Sequence, residues 1–239
     1  MNALIVIPTY NENQNISILI NKIRKLDSLI DLEILIIDDG SPDGTAESVK
    51  EIQNNDSKLY LINRKKKLGL GSAYCLGFKW AIENKFDFII QMDADLSHNP
   101  NDIIRLLDKI HDHDLVIGSR YKTGVNVVNW PLRRLILSYL ANIYARLITG
   151  LKVYDLTSGF KCIKTDRLKN IDIDKIKSEG YSFQIEVNCL FYNQNYKITE
   201  VPIIFYDRTI GQSKMSKKII FEAIIRVPLF RLKRMFGIS

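Results

Sequence analysis

Two carboxylates with one residue between them, Asp93-Ala94-Asp95, follow the apolar run Phe86-Asp87-Phe88-Ile89-Ile90. A short run of this kind reads as a strand buried on both faces, so both acids fall where that strand ends. Open α/β sheets bind ligands just outside the carboxyl ends of their strands. Two hard anionic oxygens there suit Mg²⁺ or Mn²⁺, which keep several waters and take further ligands from a substrate's phosphates. The competing reading of an Asp-X-Asp is a solvated turn. The position behind a buried strand favours a metal–phosphate site at Asp93 and Asp95.

Such a site needs a sheet to hold it. Ala3 to Pro8, Glu33 to Ile37, Leu59 to Ile62 and Leu115 to Gly118 read as further buried strands. Between them, Ile16, Leu19, Ile20, Ile23 and Leu26 recur at helical spacing, as do Ile103, Leu106, Leu107 and Ile110. Thr45 reads as the cap of a helix from Ala46 to about Ile52, and Gly69-Leu70-Gly71-Ser72 opens another. Strands alternating with helices argue for an α/β fold with a mostly parallel sheet flanked by helices. Beyond Tyr121 the pattern changes. Helices are predicted over Pro131 to Thr149, over Phe183 to Asn193 and over about Lys217 to Met235, the last interrupted by Pro228. Strands are predicted over Leu156 to Ile163 and over Ile198 to Tyr206.

The chain's net charge of +7 sits in one place. From Arg208 onward eight basic residues face one acid, Glu222, so residues 1–207 balance at zero. A basic, amphipathic C-terminal stretch suits a membrane surface, anionic lipid or a phosphorylated substrate. Nucleic acid is excluded as a partner, because the tail lacks a reading motif and the remainder offers no basic groove. No run reaches the roughly 20 apolar residues that span a bilayer, and Met1 leads into a strand with no basic leader. Cys75, Cys162 and Cys189 have no metal-ligand spacing and read as reduced core thiols. Together these point to a cytoplasmic protein, peripheral at a membrane face.

Seven stretches in order resemble the family-2 glycosyltransferases of GT-A (Rossmann-like) fold. They are Ile7-Pro8-Thr9-Tyr10-Asn11-Glu12, Asp38-Asp39-Gly40-Ser41-Pro42-Asp43-Gly44-Thr45, Gly69-Leu70-Gly71, Asp93-Ala94-Asp95, Gly118-Ser119-Arg120-Tyr121, Asp155-Leu156-Thr157-Ser158-Gly159-Phe160-Lys161 and Gly211-Gln212-Ser213-Lys214. The last three are similar to the dolichyl- or polyprenyl-phosphate mannose synthase branch. The resemblance covers about residues 3 to 218. It implies a catalytic domain over 1–218, followed by a basic amphipathic tail over 219–239.

The resemblance further implies that Pro8, Tyr10, Glu12 and Asp39 contact the nucleotide of a nucleotide-sugar, together with Asp93 and Ala94. Asp93 and Asp95 then hold Mg²⁺ or Mn²⁺ against the diphosphate. Asp38, Asp43 and Thr45 read as turn and cap residues. Ser97 stands where relatives often place a metal-binding Gln, and His98 reads as a hydrogen-bonding loop residue. GDP-mannose as donor and polyprenyl phosphate as acceptor rest on the resemblance alone. A UDP-sugar donor, or an inactive partner subunit at the membrane, are the competing readings.

A lipid phosphate is already anionic near neutral pH and needs no general base. The site must instead gather cations around two phosphate groups. The resemblance favours Arg120, Arg208 and Lys214 as the catalytic cations beside Asp95. Arg120, Arg134 (in preference to Arg133), Ser213 and Lys214 are the expected ligands of the acceptor phosphate. Lys161 stands where relatives often carry Arg and is kept as a candidate phosphate binder, although it lacks the planar fork for a bidentate contact. Membrane contact is expected through the amphipathic surface, the tail's attraction to anionic lipid or a membrane-embedded partner.

Overall fold

The computed structural model describes residues 2–26, 30–208 and 217–235. Its strands are Ala3–Thr9 (β1), Leu32–Asp38 (β2), Leu59–Asn63 (β3), Phe88–Gln91 (β4), Leu115–Ser119 (β5), Val127–Val128 (β6), Lys161–Lys164 (β7), Ile198–Pro202 (β8) and Phe205–Tyr206 (β9). Its helices are Asn13–Arg24 (α1), Thr45–Gln53 (α2), Leu70–Glu83 (α3), Asp102–Ile110 (α4), Leu132–Thr149 (α5), Thr165–Leu168 (α6), Gly180–Asn193 (α7) and Lys217–Met235 (α8).

The main sheet runs in the order β3-β2-β1-β4-β7-β5-β8. β1, β2, β3 and β4 pair in parallel, as do β5 and β8, while β7 lies antiparallel between β4 and β5. Thr9 faces Asp38 and Val6 faces Gln91, so Pro8, Asp38 and Asp93 arrive at one edge of the sheet. The fold is α/β with a mostly parallel sheet, as the sequence predicts.

Each face of the sheet has its own core. Ile16, Leu19, Ile103 and Leu106 from α1 and α4 cover one face. Ala73 and Phe78 of α3, Phe183 and Val187 of α7, and Val227 of α8 cover the other. Gly77 lets α3 lie against β1: a Cβ there would come within 2.5 Å of Val6 Cγ1. That close approach sets the depth of the loop before α3, which borders the site.

Four local expectations change. Thr45 is the first helical residue rather than the cap, and its hydroxyl donates to Asp43 at 2.5 Å while Asp43 also accepts from the Thr45 N–H. The strand expected from Leu156 begins only at Lys161, because the backbone and side chains of 155–158 are used in a buried polar network described below. The strand expected over Ile198 to Tyr206 is two strands, β8 and β9, on different sheets. Pro228 lies inside α8 without ending it, flanked by the buried Val227 and Phe230.

α8 is fastened to the body of the molecule. The Tyr144 hydroxyl donates to the Ile224 carbonyl, Arg231 donates to the Ile148 carbonyl, and the Glu179 N–H donates to the Glu222 carboxylate.

Candidate active site

At the carboxyl edge of the sheet lies a cleft of about 400 Å³ lined by Pro8, Glu12, Lys67, Asp93, Ala94, Asp95, Arg134, Thr157, Glu179, Gln184 and Arg208, among others. Of the residues expected at the site, Pro8, Glu12, Asp93, Ala94, Asp95, Arg134 and Arg208 line this one cleft. Ser213 and Lys214, with the rest of the Gly211-Gln212-Ser213-Lys214 stretch, lie outside the described residues.

The turn after β4 is built around Asp95. The Ser97 hydroxyl donates to Asp95 Oδ1 at 2.5 Å and the Ser97 N–H at 3.1 Å, while Arg208 Nη2 stands 2.9 Å from Asp95 Oδ2. Burial raises the Asp93 carboxyl above its ordinary value, and Asp95 pushes the same way against the pull of His98, Arg208 and Arg120. His98 is buried, stacked on Phe160 with centroids 4.9 Å apart. Its Nδ1 accepts from the Asp93 N–H at 3.4 Å, and burial holds the ring below its ordinary pKa. His98 is therefore a neutral prop of the turn.

Among the described lining residues, four carboxylates (Glu12, Asp93, Asp95, Glu179) face three cations (Lys67, Arg134, Arg208). A diphosphate entering this balance calls for added positive charge. Asp93 and Asp95 supply two hard oxygens for a divalent cation, with room for substrate oxygens to complete its shell. The residues present fit that group.

On the nucleotide side, Asp38 is fully buried and organises its turn, accepting from the Thr9 hydroxyl and from the Ser41 N–H and hydroxyl. Asp39 is also buried, and its carboxylate accepts from the Leu68 and Gly69 N–H groups while pairing with Arg64. It holds the loop before α3 and is not among the cleft's lining residues. Tyr10 has Lys67 Nζ 3.8 Å from its ring centroid. Any base stacking on that face of Tyr10 must displace a lysine which itself lines the cleft.

Two expectations for phosphate-binding cations are corrected. Arg120 is buried and gives Nε and Nη2 to Asp155, at 2.7 Å each, with a further Nη2 bond to Thr157 at 2.8 Å. Glu200 accepts the Tyr154 and Asp155 N–H groups behind it, and Asn142 links Thr157 to the Leu156 N–H. Arg120 is thus a buttress of the site wall and not a lining residue. Arg134 does line the cleft, its Nη1 2.6 Å from Asp207 and its guanidinium 4.1 Å from the Trp130 ring centroid. Arg133 is exposed to solvent.

Lys161 is the second correction. It is fully buried, its ammonium donates to the Gln184 carbonyl at 2.9 Å, and it is not among the residues lining the cleft. Burial lowers its pKa to about 7, against a partial pull from Asp155. Between pH 7 and 10.5 the unfolded chain therefore binds more protons at this residue than the folded one, so stability at this site rises with pH across that window. A Lys161→Met variant lacks this dependence. Its stability relative to wild type should fall by about 2 kcal/mol between pH 7 and pH 9. Urea unfolding at the two pH values measures this, and a constant difference would refute a depressed lysine.

Sequence reasoning missed Asp155, Thr157, Glu179, Tyr181 and Gln184. Asp155 and Thr157 lay inside a recognised run without a role. Glu179 lies outside the helix expected over Phe183 to Asn193, and nothing local in the sequence marks it; in the structure it immediately precedes α7. In the fold its carboxylate accepts from the Gly71 and Ser72 N–H groups at the start of α3, and burial raises its pKa.

Arg134, Thr157 and Tyr181 also line a second cavity, of about 360 Å³, beside the cleft. Trp130, Leu137, Leu140, Tyr144, Ile185, Ile224 and Val227 give it apolar walls between α5, α7 and α8.

Residues 4–171 match the model of glycosyl transferase family 2. The chain is 39% identical over 227 residues to an undecaprenyl-phosphate mannosyltransferase of Micrococcus luteus, covering 95% of this chain and 93% of the relative. It is 40% identical to a polyprenol monophosphomannose synthase of Mycolicibacterium smegmatis, covering 94% and 85%. In fold it is similar to glucosyl-3-phosphoglycerate synthase of Mycobacterium tuberculosis, solved with Mn²⁺, UDP-glucose and phosphoglyceric acid. That match has a TM-score of 0.68 at 18% identity, over all of this chain and 80% of the other.

Proposed function

The chain belongs to glycosyl transferase family 2, and from that membership we propose that it moves mannose from GDP-mannose to a polyprenyl phosphate. The observation that carries this reading is the position of Arg134. A cleft bearing carboxylates and cations shares Arg134 with an apolar cavity, which suits an acceptor with an anionic head and a hydrocarbon tail. The names of the two mannosyl-transferring relatives support the same acceptor and sugar.

In this reading Pro8, Tyr10 and Glu12 contact the nucleotide, and Asp39 acts through the loop it holds. Asp93 and Asp95 would hold Mg²⁺ or Mn²⁺, which would neutralise charge on the departing diphosphate. Arg134, Arg208, Ser213 and Lys214 receive the acceptor phosphate. One of its oxygens attacks the anomeric carbon in line, the bond to the GDP oxygen breaks, and the configuration inverts. No side chain need take a proton, because the nucleophile is already anionic.

No helix among the described residues is long and apolar enough to cross a membrane. Leu132, Ile136, Leu140 and Leu147 on α5 and Ile224, Ile225, Leu229 and Leu232 on α8 are nonetheless largely exposed. With Arg133, Arg146, Arg226 and Arg231 nearby in sequence, these two helices form a surface suited to lie on an anionic bilayer.

The test is a donor screen. Protein, Mg²⁺ or Mn²⁺ and polyprenyl phosphate in anionic vesicles are mixed with labelled GDP-mannose, UDP-glucose or UDP-N-acetylglucosamine, and label in the lipid phase is counted. Mannose entering lipid only with metal is the expected result. Label from a UDP-sugar alone would overturn the donor, and label in no lipid would overturn the acceptor.

A further inference from the structure

Gln184 is 2% exposed, and neither its amide oxygen nor its amide nitrogen finds a hydrogen-bond partner among the described residues. Buried amides are nearly always paired, and one left open on both atoms calls for an explanation. This one lines the catalytic cleft. It stands on the first turns of α7, whose N-terminus also brings Glu179, Gly180 and Tyr181 to the cleft wall.

The surroundings of Gln184 hold it in place without using its amide. The Lys161 ammonium donates to its main-chain carbonyl at 2.9 Å. Gly159 lies opposite. A Cβ on Gly159 would sit 3.3 Å from both Asp93 carboxylate oxygens and 3.5 Å from Gln184 Nε2. The bare glycine therefore leaves a space walled on one side by a carboxylate and on another by an amide. An uncharged group that both donates and accepts, next to a carboxylate, matches sugar hydroxyls, which also do both. A phosphate, which only accepts, would leave the amide oxygen unmatched.

Resting on the reading of the chain as a sugar-nucleotide transferase, we propose that Gln184 is a specificity residue that reads the donor sugar. Its amide and the Asp93 carboxylate bind hydroxyls of that sugar across the space above Gly159, and Lys161 is a positioning residue that fixes the turn carrying the amide. A site built to pair with a hydroxyl rejects a donor lacking it, because its own buried polar groups are then left open.

The experiment compares two ligands on each protein, a nucleoside diphosphate and the matching sugar nucleotide, titrated calorimetrically with Mg²⁺ present. The wild type is first titrated with GDP, UDP, GDP-mannose and UDP-glucose, and the tightest sugar nucleotide is carried forward. That step tests the mannosyl reading separately: preference for UDP-glucose would overturn the donor and leave the role of Gln184 to be judged with UDP-glucose. Gln184→Met, of similar length and apolar, should weaken the sugar nucleotide about tenfold while leaving the nucleoside diphosphate within about twofold. Gly159→Ala, which fills the space with one methyl and leaves Gln184 unchanged, should show the same split. Equal weakening of both ligands, or no weakening of either, in a folded Gly159→Ala protein would overturn the proposal.

Discussion

Asp95→Asn is expected to transfer sugar about 1000-fold more slowly than the wild type, the scale of several kcal/mol of lost charge stabilisation in the transition state. Its melting temperature should barely change. Asparagine keeps the oxygen that accepts from the Ser97 hydroxyl and N–H, so the turn retains its geometry. It loses the charge that faces Arg208 and that would hold a divalent cation. Two readouts separate these effects. Metal binding in the presence of nucleoside diphosphate should weaken in Asp95→Asn and persist in Arg208→Gln. A variant at position 95 that keeps near wild-type turnover and metal affinity would remove Asp95 from the metal site.

The second large effect is on stability. Arg120→Met should lower it by about 3–5 kcal/mol, the usual result of removing one partner from a buried ion pair. The guanidinium and the Asp155 carboxylate have side-chain exposures of 6% and 0%, so solvent cannot take over for the missing charge. For a chain of this length the loss corresponds to roughly 6–20 °C in melting temperature. A double variant, Arg120→Met with Asp155→Leu, removes both charges and should recover part of the loss, because the Arg120 N–H then loses the carboxylate it donates to. Calorimetry on the three proteins decides the matter. An unchanged melting temperature in Arg120→Met would mean that the buried pair is not what holds the wall of the cleft.

The Arg120 result also bears on how arginines in this chain divide their work. Arg120 and Arg134 are both cations near the cleft in sequence-based expectation, and the same chemistry would suit either to a phosphate. Arg134 remains at the cleft, and its partner, Asp207, is a partly exposed acid. Arg120 is lost to the interior because Asp155 is fully buried and offers a bidentate partner.

Much of this protein is legible in its sequence, because the signals are local. Buried strands declare themselves as apolar runs, and the stripe of α4 at Ile103, Leu106, Leu107 and Ile110 is buried as its spacing requires. Asp93 and Asp95 could be assigned to the ligand edge because a parallel strand must end there. The tertiary structure decided what depends on contacts distant in sequence. Asp155 meets Arg120 across 35 residues, Glu179 caps a helix more than 100 residues earlier, and Lys161 and Gln184 meet across 23. A charged side chain looks the same in sequence whether its partner is a substrate or a buried carboxylate. Burial separates the two, because a desolvated charge must find a partner inside the protein or be neutralised, and only the assembled fold determines which residue that partner is.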